Sequence, residues 1–180
     1  MPITAVHIRA TLAEYIDAHP EEKPALAVVG ELLDSGADVT DRKEYRGHVT
    51  AGALLVNDHG DVLFIRHVAL GKWLPPGGHV EPEDVDLLGA ALRELAEETG
   101  ISLRVSPVHP APVHIDVHPI PANDAKGEDA HRHIDFRFLF RVDGEPSVRL
   151  REDEVSAWAW RGVETIADET LRNRVLAALR

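Results

Sequence analysis

The residues 93–101, RELAEETGI, constrain this chain more than any other stretch. On an α-helix Glu94, Glu97 and Glu98 stand at i, i+3 and i+4 and share one face. Leu88, Leu92, Leu95 and Thr99, with Ala91 beside them, recur at helical spacing on another face, which predicts their burial. Gly100 is the residue expected just past a helix C-terminus, and Asp84 or Asp86 can cap the start.

Like charges at this spacing repel, by a few tenths of a kcal/mol per pair on an exposed helix. A hard divalent cation offsets that cost, because Mg2+ takes oxygen ligands and keeps places for phosphate oxygens. The plainer reading is a solvated acidic face. Arg93 beside the cluster, the Gly77-Gly78 turn before it and Gly100 after it favour the metal site, since each has a mechanical job.

The segment 77–101, GGHVEPEDVDLLGAALRELAEETGI, resembles the Nudix box, the signature of the Nudix hydrolases. That pattern is Gly, five residues, Glu, seven residues, then Arg-Glu-aliphatic-any-Glu-Glu-any-Gly-aliphatic, and residues 93–101 fit its second half throughout. The first half departs: five residues separate Gly78 from Asp84, which stands where Glu is expected, and eight separate Asp84 from Arg93. The loop is therefore one residue longer, and Asp84, Glu83 and Asp86 are all candidates for the first acid. With the strands around it, the resemblance covers residues 46–166.

The resemblance implies an α/β chain with the Nudix fold, an α/β/α sandwich whose mixed sheet carries helices on both sides. It implies hydrolysis of a nucleoside diphosphate linked to a group X, water attacking a pyrophosphate phosphorus with Mg2+, or Mn2+, as cofactor. By carry-over Glu97 and Glu98 are the principal metal ligands, a Gly77 carbonyl assists, and Glu94 is a further ligand or the general base. Arg93 orients these carboxylates by bidentate hydrogen bonds rather than touching substrate. Nudix folds often place an extra carboxylate on a loop near the metals, which here is Glu154.

Composition sets the frame. With 180 residues, net charge -12 and 44% hydrophobic residues, the chain suits one soluble domain with a sizeable core. It has no cysteine, which excludes disulfides, thiolate chemistry and a Cys-based zinc site. No apolar run approaches the ~18 residues of a membrane span, and the N-terminus shows no secretory pattern, so a cytoplasmic location is the expectation. The acidic balance disfavours binding to a nucleic-acid backbone.

Residues 1–45 read as a helical extension to a hydrolase domain at 46–180. Ile8, Leu12, Tyr15 and Ile16 mark one amphipathic helix, and Leu26, Val29, Leu32 and Leu33 a second after Pro20. They read as a packing appendage or a dimer contact, so a homodimer stays open. Residues 49–56 and 62–65 read as a hairpin. Trp73 either stacks on a base or packs in the core. Leu103 starts a strand, 119–130 is a long loop, and 165–179 is a closing helix burying Ile166, Leu171, Val175, Leu176 and Leu179.

Two further strands concentrate histidine. In 113–118 the side chains of His114, Asp116 and His118 share one face. In 131–140 His131, His133 and Asp135 share a face, followed on it by Arg137. This face is a polar wall of the substrate cleft, a second metal site, or plain structure. HIDVHPIPAN, HRHIDFRFLF and GKWLPPGGHVEP together resemble one bacterial subgroup of Nudix proteins, which supports a shared pocket built from these histidines.

Two rivals accompany the hydrolase. One is a non-catalytic Nudix-fold sensor of a nucleotide or metabolite, which has no need of every carboxylate. The other is isoprenoid diphosphate isomerisation, which needs a partner such as Cys, absent here.

Overall fold

The structure, a computed structural model, describes residues 2–123 and 127–180. Two helices open it, α1 (Ala5–Ala18), capped by the Thr4 hydroxyl, and α2 (Lys23–Asp34), separated by a 3₁₀ turn at Pro20–Glu22. The strands are β1 (His48–Val56), β2 (Val62–His67), β3 (Lys72–Leu74) and β4 (Gly77–His79). Helix α3 (Leu87–Thr99) follows, then β5 (Val105–Pro107), β6 (His114–Ile120), β7 (His131–Val142), β8 (Val155–Arg161) and α4 (Glu169–Ala178).

All eight strands join one mixed sheet with the central order β3-β2-β1-β7-β5. β1 and β7 run parallel over nine residue pairs, from His48↔His133 to Val56↔Arg141, and the other pairings are antiparallel. All nine residues of β1 are buried, as a strand covered on both faces requires. On one face Ala51, Ala53, Phe136 and Phe138 pack with Ile8 and Leu12 of α1, Val29 of α2 and Leu95 of α3. On the other, Leu54, Val56, Val62 and Leu139 pack with Leu171 and Val175 of α4. Tyr15 ties α1 to α4: its hydroxyl donates to Glu22 Oε2 at 2.7 Å and accepts from Arg174 Nη1 at 2.8 Å. Among the described residues no helix is long and apolar enough to cross a membrane.

Several local expectations shift. The strand after α3 begins at Val105, because Arg104 takes a left-handed backbone, φ 60°, and its carbonyl accepts from Asp143 N at 3.1 Å. β6 runs on to Ile120 through Pro119, which is tolerated because β6 pairs with β7 alone and needs no donor on its outer edge. Of the segment expected to loop, residues 124–126 lie outside the described residues. α4 starts only at Glu169, where Asp168 Oδ1 accepts from Leu171 N at 2.8 Å. Leu176 is exposed, since it lies one step round the helix from the buried Val175. On α3 the buried face centres on Leu87, Ala91 and Leu95, with Leu88 and Leu92 half-buried at its rim.

Candidate active site

Helix α3 is held at both ends by its own sequence. Asp86 is the N-cap, its Oδ1 accepting from Gly89 N at 2.6 Å, and Gly100 closes the helix in the left-handed conformation. Asp84 is thereby free for another task. Its carboxylate takes Arg93 in a two-point grip, Nε to Oδ1 at 3.0 Å and Nη2 to Oδ2 at 2.9 Å. Asp84 Oδ2 also accepts from Glu81 N at 2.8 Å, fixing the loop. Of the three candidate acids, Asp84 therefore pairs with the arginine, Asp86 caps the helix and Glu83 faces solvent.

Arg93 then reaches the acidic face. Nη1 donates to Glu94 Oε1 at 2.8 Å and to Glu97 Oε1 at 3.4 Å, while Nη2 donates to the His79 carbonyl at 2.9 Å. Its bidentate partner is the loop acid Asp84, and each helix glutamate receives a single contact. Asp84 and Glu94 hold the guanidinium well above its ordinary pKa. One cation thus joins the loop, the helix and strand β4.

Glu98 is the most buried of the cluster, 3% exposed, and its Oε2 accepts from Gly77 N at 3.0 Å. Burial pushes its carboxyl up to about 8, against the pull of the Gly77 N–H, and the charges of Glu94 and Glu154 push it further. Glu94 is raised too, by burial first, with Arg93 opposing and Glu97 and Glu154 adding. Glu154 thus lies within electrostatic reach of both, carried by the turn before β8. The segment that places it hugs α3: Arg149 N and Arg151 N donate to the Thr99 and Glu98 carbonyls at 2.8 and 3.2 Å. Arg151 Nη1 stands 3.5 Å from Glu97 Oε2 and 3.6 Å from Glu154 Oε2.

The Gly-Gly strand lets these parts meet. A Cβ on Gly77 would come 2.8 Å from Gly52 Cα and 2.9 Å from the Ala51 carbonyl oxygen. A Cβ on Gly78 would occupy space 2.7 Å from the Glu94 carboxylate. The site suits a hard divalent cation: its donors are oxygens, and a nearby positive charge would return Glu98 to its charged form.

On the opposite face of the sheet the strand registers stack the polar side chains in rungs. Arg137 pairs with His114 on β6 and Gly52 on β1. Asp135 pairs with Asp116 and Thr50, and Thr50 with His79. His133 pairs with His118 and His48. Asp135 is committed to its neighbours, accepting from Thr50 Oγ1 at 3.1 Å and Arg137 Nε at 2.9 Å. Asp116 contacts His118 Nδ1 at 2.9 Å, and that bond, with Arg137 behind it, holds its carboxyl below the ordinary range. His114 is buried, and among the described residues its Nδ1 has no hydrogen-bond partner.

The structure therefore gathers Arg93, Glu94, Glu97, Glu98, Glu154 and Gly77 at one end of α3. It puts His114, His118, His131, His133, Asp135 and Arg137 on one sheet face. Trp73, half-buried, packs against the second core cluster, with the Arg161 guanidinium carbon 4.0 Å from its ring centre. Sequence reasoning did not single out Arg151, His48 or His79. Arg151 carries no motif. His48 and His79 show only once β1 is known to lie between β7 and β4.

The mixed sheet between helices and the acidic helix braced against a Gly-Gly strand are the parts that the resemblance to the Nudix hydrolases implies. A model of the NUDIX domain matches residues 46–179, and the chain belongs to that family. It is 32% identical over 146 residues to a probable DHNTP pyrophosphohydrolase of Lactococcus lactis subsp. cremoris, covering 78% of this chain and 81% of that protein. It is 34% identical over 107 residues to the m7GpppN-mRNA hydrolase NUDT17 of Bos taurus, covering 56% of this chain but only 35% of that protein, so it spans about a third of that relative's length. A solved binary complex of a C. elegans Ap4A hydrolase shares the fold, with a TM-score of 0.56 at 23% identity, covering 73% of this chain and 96% of that one.

Proposed function

We propose that the chain hydrolyses a pyrophosphate bond in a nucleoside diphosphate linked to a further group X, with Mg2+ as working cation and Mn2+ as its substitute. The convergence of Glu94, Glu97, Glu98 and Glu154 beside Gly77 carries this reading. The name of the Lactococcus relative, a pyrophosphohydrolase, supports the bond type. Glu97 and Glu98 would hold the cation with the Gly77 carbonyl, and Glu94 would be a further ligand or the base that takes the proton of water. A cation held there would supply neutralisation of the polyanion and a lowered pKa for water. Arg93 is a positioning residue: it already spends its donors on Asp84, Glu94, Glu97 and the His79 carbonyl. Glu154 completes the acidic ring from the opposite loop.

On the opposite face, a substrate that extends past the edge of β4 would meet further groups. His114 brings a buried nitrogen without a partner, Arg137 a cation between Asp135 and Asp116, and His118 a half-exposed imidazole. In the same reading residues 1–45 extend a hydrolase unit at 46–180 in a cytoplasmic protein.

The test is a coupled phosphate-release screen over nucleoside triphosphates, nucleotide sugars, dinucleoside polyphosphates and ADP-ribose, with Mg2+ or Mn2+, beside Glu98→Gln. Metal-dependent release from one substrate class, absent in the variant, is expected. Silence across the panel while a nucleotide still raises Tm would replace the enzyme by the non-catalytic sensor.

A further inference from the structure

Five imidazoles crowd the lower rungs of the sheet face. His48 lies 4.9 Å from both His131 and His133, ring centre to ring centre, His79 lies 5.2 Å from His133, and His118 lies 5.8 Å from His133. Three of them, His48, His79 and His133, bring a ring nitrogen each to within 4.8 Å of the other two. They come from three different strands, β1, β4 and β7, so the meeting is set by sheet register and not by chain neighbourhood.

The hydrogen bonds around the cluster define which nitrogens face inward. A carbonyl only accepts, so His48 Nδ1, 3.3 Å from the Glu44 carbonyl, carries the proton, and its Nε2 lone pair is bare. His131 Nδ1, 2.7 Å from the Asp129 carbonyl, is fixed the same way, which bares its Nε2. Each faces a neighbouring ring, His48 Nε2 at 3.2 Å from His79 Nε2 and His131 Nε2 at 3.2 Å from His133 Nε2, so without a metal the hydrogens of these contacts sit on His79 and His133, and a cation would send them to Nδ1. An imidazole anchored through one nitrogen to a carbonyl, with the other directed inward, is the usual arrangement of a metal ligand.

The distances fit too. Zn–N bonds of ~2.0–2.1 Å in a tetrahedron place neighbouring nitrogens roughly 3.3–3.4 Å apart. The His48–His79 pair already has that spacing, and all three nitrogens of the trio lie within 4.8 Å of one another.

We propose that His48, His79 and His133 form a second metal site, for a borderline first-row cation of the Zn2+ class, separate from the carboxylate site on α3. His131 lies outside the trio, beside His133 and His48. The two sites choose differently: imidazole favours Zn2+ and its neighbours, whereas Mg2+ takes oxygen. They also lie on opposite faces of one short strand, because the Gly78 position faces Glu94 while His79 alternates to the other side. The proposal does not depend on the substrate or on the hydrolytic reading.

The test uses Co2+ as a spectroscopic stand-in, titrated into the chelator-treated 180-residue chain in excess Mg2+ and without substrate. The wild type is expected to give intense visible bands of a tetrahedral, nitrogen-rich centre, with a break at one equivalent, and Zn2+ should bleach them. A His48→Gln/His133→Gln protein should lose the bands and bind at least ~10-fold more weakly, while Glu98→Gln keeps them. Weak octahedral bands in the wild type, or bands that disappear in Glu98→Gln, would overturn the site whatever the fold of the double variant.

Discussion

Asp84 and Arg93 meet in a two-point grip across nine residues of sequence, with the carboxylate almost wholly buried. An aspartate has one methylene less reach than a glutamate, and the loop between the two residues is one longer than the family pattern. The shorter side chain and the longer loop arrive together at a closed pair.

Breaking that pair leaves Arg93 partly buried without its main partner, and loss of one member of a buried pair costs about 3 kcal/mol or more. Asp84→Ala should lower the urea unfolding free energy by about that amount. Activity should fall as well, because Glu94 and Glu97 lose their brace. Asp86→Ala, which removes only a cap, should cost about 1 kcal/mol in the same measurement.

Glu98 sets chemistry against stability. Its folded carboxyl sits near 8, above the ~4.3 of a free glutamate, so its contribution to stability is full below ~4.3 and is lost as pH rises to about 8. Glu98→Gln should therefore unfold at a higher temperature than the metal-free wild type at pH 8, with the difference shrinking toward pH 5. The same variant should turn over at least ~100-fold more slowly. A variant that is both less stable at pH 8 and active would refute the assignment.

His133 slopes the other way. Its folded value of about 3 lies below the ~6.5 of a free imidazole, so its stability is full above ~6.5 and is lost as pH falls toward about 3. With chelator present, wild-type Tm should drop between pH ~6.5 and 4, and His133→Asn should flatten that drop. Scanning calorimetry across this range reads the slope directly.

The two glycines of β4 should separate in a paired test. Gly77→Ala drives a methyl into backbone at Gly52 and Ala51, which cannot give, and should cost about 1–3 kcal/mol of stability. Gly78→Ala meets only the end of the Glu94 side chain, so its Tm should hold nearer the wild type. Its kcat should fall up to ~100-fold as that carboxylate is displaced.

Much of this was legible in the chain. The helical face of the glutamates, the Gly100 stop and the two strands at 114–120 and 131–142 depend on short-range periodicity, and the structure has each of them. What stayed hidden depends on pairing between distant strands. His48 and His133 are 85 residues apart, and only the parallel register of β1 and β7 sets them side by side. Asp135 looked like a partner for the histidines because it shares their face, yet Thr50 and Arg137 take both of its oxygens. Leu176 reads as core by its hydrophobicity, and one step of helix rotation exposes it.

The link from Tyr15 to Arg174 has a consequence for where this molecule can be cut. The family match starts at residue 46, but Ile8, Leu12, Leu26 and Val29 sit in the same apolar cluster as Phe136 and Leu95. A chain started at the family boundary would keep every catalytic candidate and still present a bared wall of phenylalanines to water, with Arg174 robbed of its anchor. The boundary of the signature at residue 46 runs through one apolar cluster rather than between two.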